Sequence, residues 1–262
     1  MDSIKNNVNE AIASLNAIKQ KIVEKGVEVA EGTKTRLYAN KVDDVYEAGK
    51  DSFWNAIQNG GTRIDYGSAF KNWGDMEYIR PKYKVVPTQA TALSATFEYN
   101  KSVKKIEAKY FDFSKKEKGT SNNTGYYYTF NGCSNLEEIE DIGMIPQYSY
   151  TNTFAYCIKL HTIAKMGVDE NTGFNDYVFN KCESLENITI EGTIGKNGFD
   201  IHWSTKLTAD SLKNIITALS TSATGLSITL PKTAQANYEA VYGTGSWSVL
   251  VATRSNWTIA YA

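Results

Sequence analysis

The chain has 262 residues, enough for about two domains. Its apolar content of 42% and charged content of 22% are those of a globular protein, and a net charge of −1 leaves no electrostatic footprint for nucleic acid or an anionic membrane. No apolar run reaches the roughly 18 residues a membrane span needs, and no basic stretch followed by an apolar one opens the chain, so neither membrane insertion nor export by a secretory signal is expected.

Residues 3–25 read as one amphipathic helix. Ile4, Val8, Ala11, Leu15, Ile18 and Ile22 fall at alternating spacings of four and three, the heptad seam of a coiled coil. Asp2 or Ser3 suits its start and Gly26 its end. So narrow a seam favours a parallel oligomer. Ile12 and Val23 widen the stripe, which leaves open packing on a following helix instead. A second helix is expected from Thr33 to about Gly49, burying Leu37, Tyr38, Val42, Val45 and Tyr46. A short third carries Phe53, Trp54 and Ile57 and is broken by Gln58-Asn59-Gly60-Gly61. The runs Lys21–Val29 and Tyr38–Tyr46 resemble leader segments of proteins encoded by Gram-positive phages and prophages, which precede variable distal domains. The resemblance implies that residues 1–60 oligomerise or dock.

Residues 61–95 are aromatic-rich (Tyr66, Phe70, Trp73, Tyr78, Tyr83) and interrupted by Pro81 and Pro87. They read as a connector and as the N-terminal cap of a repeat region, because an open repeat end exposes core. From residue 96 to 200 a ten-residue pattern recurs. It runs Phe130-Cys133-Leu136-Ile139, then Phe154-Cys157-Leu160-Ile163, then Phe179-Cys182-Leu185-Ile188, with the Phe positions 24 and then 25 residues apart. Phe97, Asn100, Val103 and Ile106 keep the same offsets with Asn in place of Cys. The longer gap to Phe130 fits a polar insertion around Lys115–Asn123. One coil of this length cannot close a core, so its apolar positions must stack on those of the next. The pattern resembles the bacterial leucine-rich repeats of the BspA-like, surface-antigen class. That resemblance implies a short β-solenoid, and a class found in adhesins and in phage and prophage products.

Residues 201–262 leave the repeat. Thr208-Ala209-Asp210 suits the start of a helix over Ser211–Ser220, with Leu212, Ile215, Ile216 and Leu219 inward. Leu226–Leu230 alternates as a strand. Helices are expected near Thr233–Val241 and Trp247–Thr253, and a last strand over Trp257–Tyr261. The segment reads as an α/β cap. The whole is then α+β: a helical, coiled-coil-like N-terminal segment, a leucine-rich-repeat solenoid and a C-terminal cap.

Chemistry is sparse. The three Cys occupy one repeat position and fit a buried ladder, since Cys packs as a small hydrophobe. No Cys-x-x-Cys spacing suggests a metal. His161 follows a repeat Leu and should lie outside, and His202 sits at the repeat-to-cap junction. Neither has a nucleophile and carboxylate in evident reach. Glu137, Glu138, Glu140 and Asp141, and the stretch Asp169-Glu170-Asn171, read as solvated faces rather than calcium loops. No cofactor, no metal and no enzymatic activity are expected. Tyr126, Tyr127, Tyr148, Tyr150 and Tyr177 are candidates for a surface platform that binds sugars or proteins, against the alternative that they pack turns between coils. The expected role is that of a phage tail or baseplate virion protein. Its expected partners are itself, most simply as a trimer, other tail proteins, and a host-surface glycan or protein. The rival is a bacterial cell-surface adhesin.

Overall fold

The computed structural model describes residues 71–72, 77–79, 84, 94–113, 126–143, 150–174 and 177–262, all within one compact unit. The heptad seam Ile4, Val8, Ala11, Leu15, Ile18 and Ile22, the other N-terminal helices, the loop around Lys115–Asn123 and Tyr148 lie outside the described residues. No helix among the described residues is long and apolar enough to cross a membrane.

Four strands form one parallel sheet in chain order: β1 (Lys105–Ile106), β2 (Glu138–Ile139), β3 (Thr162–Val168) and β4 (Asn187–Gly192). The register aligns the last position of the ten-residue pattern, Ile106 with Ile139, Ile139 with Ile163, and Ile163 with Ile188. A slip of one residue would turn every one of these isoleucines outward, so burial itself holds the register. The preceding residues Lys105 and Glu138 face out and pair at 3.0 Å, and Lys105 also meets Glu140 at 2.7 Å.

Behind the sheet run two aromatic ladders. Phe97, Phe130, Phe154 and Phe179 stack with centroids 5.1, 5.9 and 5.4 Å apart and planes within 15°. The second ladder is Tyr126, Tyr150 and Phe174, at 5.0 and 5.8 Å. Phe199 closes both ladders with edge-on contacts to Phe174 and Phe179. Tyr126 and Tyr150 are therefore core residues and not part of a surface platform. They stand four residues before Phe130 and Phe154, where the coil turns inward, and neither is exposed. The Tyr150 hydroxyl donates to the Gly167 carbonyl at 2.7 Å, while the buried Tyr126 hydroxyl has no partner among the described residues.

The repeat Cys are free, wholly buried, and more than filler. Cys133, Cys157 and Cys182 each donate a thiol hydrogen bond to the carbonyl of the preceding coil's Phe, at 2.9, 3.0 and 3.0 Å. Burial pushes all three thiols well up from their ordinary range, which keeps them protonated. At the equivalent position Asn100 is buried, and its side-chain oxygen accepts from the Ser102 and Val103 amides.

The stack extends past both ends of the expected repeat region. Upstream, Tyr78 bridges Lys105 in parallel and Ile79 is buried. Ile79 ends a run, Phe70-Trp73-Met76-Ile79, that keeps the repeat offsets with Trp and Met in place of Cys and Leu. Stacking therefore begins inside the segment expected to be only connector and cap. Downstream, Ile201, Ser204 and Leu207 repeat the three-residue backbone bonds of Phe, Cys and Leu, and the Thr208 amide reaches the Glu186 carbonyl as Glu186 reaches His161. The next element is a helix instead of a strand: α1 (Ala209–Ala218), capped by the Thr208 hydroxyl.

That helix covers the β4 edge with side chains. Ser211 Oγ accepts from the Ile188 amide and donates to the Glu186 carbonyl. Asn214 accepts from the Ile190 amide and donates to the Ile190 carbonyl. Two side chains thus supply the bonds a fifth strand would give, removing an open edge. The helix ends at Ala218, earlier than expected, because Leu219 is extended and bridges Ile194. Strands β5 (Leu226–Leu230) and β6 (Trp257–Tyr261) then pair in parallel, joined by α2 (Ala234–Tyr242) and α3 (Ser246–Ala252). Arg254 returns to hold the Thr217 and Leu219 carbonyls at the end of α1.

This packing makes two substitutions informative. Asn214→Ala leaves the Ile190 amide and carbonyl unpaired and should lower unfolding free energy by about 1–3 kcal/mol in urea titrations, the cost of unsatisfied buried groups. Tyr126→Phe should raise the thermal midpoint by removing an unpartnered hydroxyl, whereas Tyr150→Phe should lower it by losing a bond worth about 0.5–1.5 kcal/mol.

Candidate binding face

The turns that carry the repeat Phe form a second inter-coil ladder opposite in character to the sheet. In the Phe97 and Phe130 turns the amides two residues before, at, and two residues after Phe donate to carbonyls of the next coil. Ala95, Phe97 and Tyr99 reach Tyr127, Thr129 and Asn131; Tyr128, Phe130 and Gly132 reach Thr151, Thr153 and Ala155. Phe154 and Tyr156 continue to Val178 and Asn180. Aiming these amides one way requires left-handed backbone beside the Phe. Two residues after it, Asn72, Tyr99, Gly132, Tyr156 and Lys181 all have φ between 55° and 73°; two residues before it, Ala95, Tyr128 and Asn152 are left-handed too, at 50–54°.

Gly or Asn meets that demand at little cost. A residue with an ordinary side chain pays about 1–2 kcal/mol there. Tyrosine nonetheless holds the left-handed position at Tyr99, Tyr128 and Tyr156. The rings project outward: Tyr99 is 45% exposed and Tyr156 52%, and Tyr177, in the neighbouring column, is 58% exposed. Gly132 lacks a side chain where the Tyr99 ring lies, and a β-carbon there would collide with it. Tyr128 is half-buried beside Tyr127, with ring centroids 4.5 Å apart. Desolvation raises its phenol above the ordinary range, and the Asn152 side chain bonds it.

Two of the cations that border these rings are paired within the protein. Lys71 pairs with Glu98 at 2.7 Å, and Glu98 also accepts from Asn131. Lys181 lies 3.4 Å from the Trp203 ring centre and 3.7 Å from Glu183. The result is a stripe of rings and amides along the turn side. Of the expected platform residues, Tyr127 and Tyr177 lie on it. Tyr126 and Tyr150 are beneath it in the core. Tyr99, Tyr128 and Tyr156 complete it, each two residues from a repeat Phe.

Elsewhere the polar residues are occupied structurally. Glu137, Lys159, His161, Ser184, Glu186 and Lys206 line a shallow cavity of about 410 Å³ on the outer side of the stack. His161 is exposed, with Nδ1 2.9 Å from the Thr162 hydroxyl, and Cys157 is sealed in the core away from it. His202 Nδ1 meets Asp200 at 2.6 Å, but the nearby Ser204 hydroxyl is buried on the Cys182 carbonyl. Asp141 is held by Lys165 and the Gly143 amide, and Asp169 closes a turn over Asn171 and Thr172. Among the described residues no group of three His, Cys, Asp or Glu could hold a metal ion.

The strained tyrosines predict an unusual contrast. Tyr156→Gly should leave unfolding free energy within about 1 kcal/mol of the parent, since relief of the left-handed conformation offsets lost ring contacts and added chain entropy. Phe154→Ala, two residues away, should cost about 3–5 kcal/mol by emptying the ladder, as read in denaturant titrations. Comparison with protein-family models, curated proteins and solved structures gave no match to this chain.

Proposed function

We propose that this chain is a non-enzymatic binding protein of the phage tail or baseplate type, with its coils forming a leucine-rich-repeat solenoid of the BspA-like kind. The observation that carries the proposal is the in-register stack, which buries its thiols and repeats one left-handed turn position, filled by the exposed Tyr99 and Tyr156 in two of its coils. Such a surface offers contact area without a reaction centre, and tyrosine supplies that area at low conformational-entropy cost. The heptad seam from Ile4 to Ile22 supports the rest of the reading: a parallel oligomer, most simply a trimer, docked on other tail proteins with the coils held outward toward a host surface. The rival reading, a bacterial cell-surface adhesin, uses the same face and draws its support from the repeat resemblance alone.

Light scattering on the full chain should give three times the monomer mass, reverting to monomer when residues 1–31 are deleted. Antibodies to residues 96–262 should decorate one end of purified virions. A monomer unaffected by the deletion, together with label on cell walls and none on particles, would sink the virion reading in favour of the adhesin.

A further inference from the structure

We infer that the outer cavity of the stack binds a small zwitterion of dipeptide size, with a free ammonium at one end and a free carboxylate at the other. The site uses none of the turn tyrosines and stands apart from the tail-protein reading. Its lining follows from the repeat. Glu137, His161 and Glu186 each come directly after a repeat Leu, and the backbone joins them in one column: the His161 amide reaches the Glu137 carbonyl, and the Glu186 amide the His161 carbonyl. Lys159, Ser184 and Lys206 each come directly before a Leu, forming a second column on the next three coils. The leucines between the columns, Leu160, Leu185 and Leu207, are buried, which leaves both columns facing out. Neighbouring strands lie about 4.8 Å apart, so the two glutamates, two coils apart, stand about 10 Å from each other at the backbone, with His161 between them. Lys159 and Lys206 flank Ser184 in the same way.

Charge decides the ligand class. Along the strand face charges pair between coils: Lys105 with Glu138, and Lys165 with Asp141 and Glu191. Around the cavity they do not. The side chains of Glu137, Ser184, Glu186 and Lys206 make no hydrogen bond or ion pair among the described residues, although all four line one space of about 410 Å³. Lys159 bonds the neutral Asn135 side chain at 2.8 Å and meets no described carboxylate. His161 engages Thr162 through Nδ1, which leaves Nε2 for a ligand. The charges that adjoin the lining are already held: Lys104, before Glu137 in its column, by Glu77 at 2.9 Å, and Glu183, beside Ser184, by Lys181 at 3.7 Å. A simple cation drawn to Glu137 and Glu186 meets Lys159 and Lys206, and a simple anion meets the reverse. A molecule bearing both signs satisfies both columns. Its length follows from the chain. Residues on either side of one Leu are at most about 7 Å apart, which is also the span of an extended dipeptide. The ammonium end fits between the glutamates over His161, and the carboxylate end between the lysines over Ser184. The volume falls within the range of about 300–1,000 Å³ common for small-molecule sites.

The test is saturation-transfer NMR on the full chain with glycylglycine, N-acetylglycylglycine, glycylglycinamide, putrescine and phosphate. Glycylglycine is expected to bind, and each blocked form to bind about tenfold more weakly, the scale of one lost charge-assisted hydrogen bond. Putrescine and phosphate should do no better than the blocked forms. Glu186→Gln and Lys206→Gln should each weaken glycylglycine by a similar factor, whereas Lys196→Gln, on the loop after β4, leaves it unchanged. Both cavity substitutions keep side-chain shape and remove no internal contact, so their circular dichroism melts should match the parent. No transfer to glycylglycine, equal binding of either blocked form, or tighter binding of putrescine or phosphate overturns the inference. Affinity indifferent to both cavity substitutions overturns it as well. None of these outcomes alters the light-scattering or virion-labelling result, so the inference and the tail-protein reading fail separately.

Discussion

Each coil depends on the next for its interior, and the rest of the described structure is shaped by how that dependence is met. Ile106, Ile139, Ile163 and Ile188 pair on one side while Phe97, Phe130, Phe154 and Phe179 stack on the other. Between them the Cys thiols tie each coil to the Phe carbonyl of the one before. A residue at any of these positions touches its own copies above and below. Size and orientation must then agree along the whole column, which is why the pattern tolerates Asn100 or Ser204 at the Cys position only with new hydrogen bonds to hold them.

An arrangement that relies on neighbours has a difficulty at its ends. At β4 the difficulty is met by changing the secondary structure while keeping the bonds. The chain follows the repeat through Leu207, then coils into α1, and Ser211 and Asn214 meet the strand's amides and carbonyls. The aromatic ladders close in the same region, where Phe199 turns edge-on to both. α2, α3 and Arg254 then brace the helix from outside. Sheet edge and aromatic column are thus sealed together, within some thirty residues of sequence.

The columns that repeat in residue type were legible in the sequence; those that repeat only in backbone geometry were not. Phe, Cys, Leu and Ile recur as letters, so their inward positions can be read from offsets alone. Tyr126 and Tyr150 form a column too, but it continues as Phe174, five residues before its Phe instead of four, and the break in spacing hides it. The upstream turn was hidden by Trp73 and Met76. The end of α1 was set by Ile194, far away in sequence, which draws Leu219 into extended pairing. The left-handed tyrosines were the least legible of all, because propensity places Gly or Asn at such positions. Their presence shows only once the backbone is seen, and it redirects the candidate site from the turn's buried tyrosines to its exposed ones.

The turn ladder also gives the stack an electrical direction. Its amides at Ala95, Phe97 and Tyr99, then at Tyr128, Phe130 and Gly132, all point toward the following coil. Peptide dipoles laid head to tail add, as they do along a helix, whereas parallel strands bond to both neighbours and largely cancel. The turn side therefore has a partial positive pole toward its C-terminal coil and a partial negative pole toward its N-terminal one. A chain of net charge −1 in this way carries an axial dipole whose poles move further apart with every coil added.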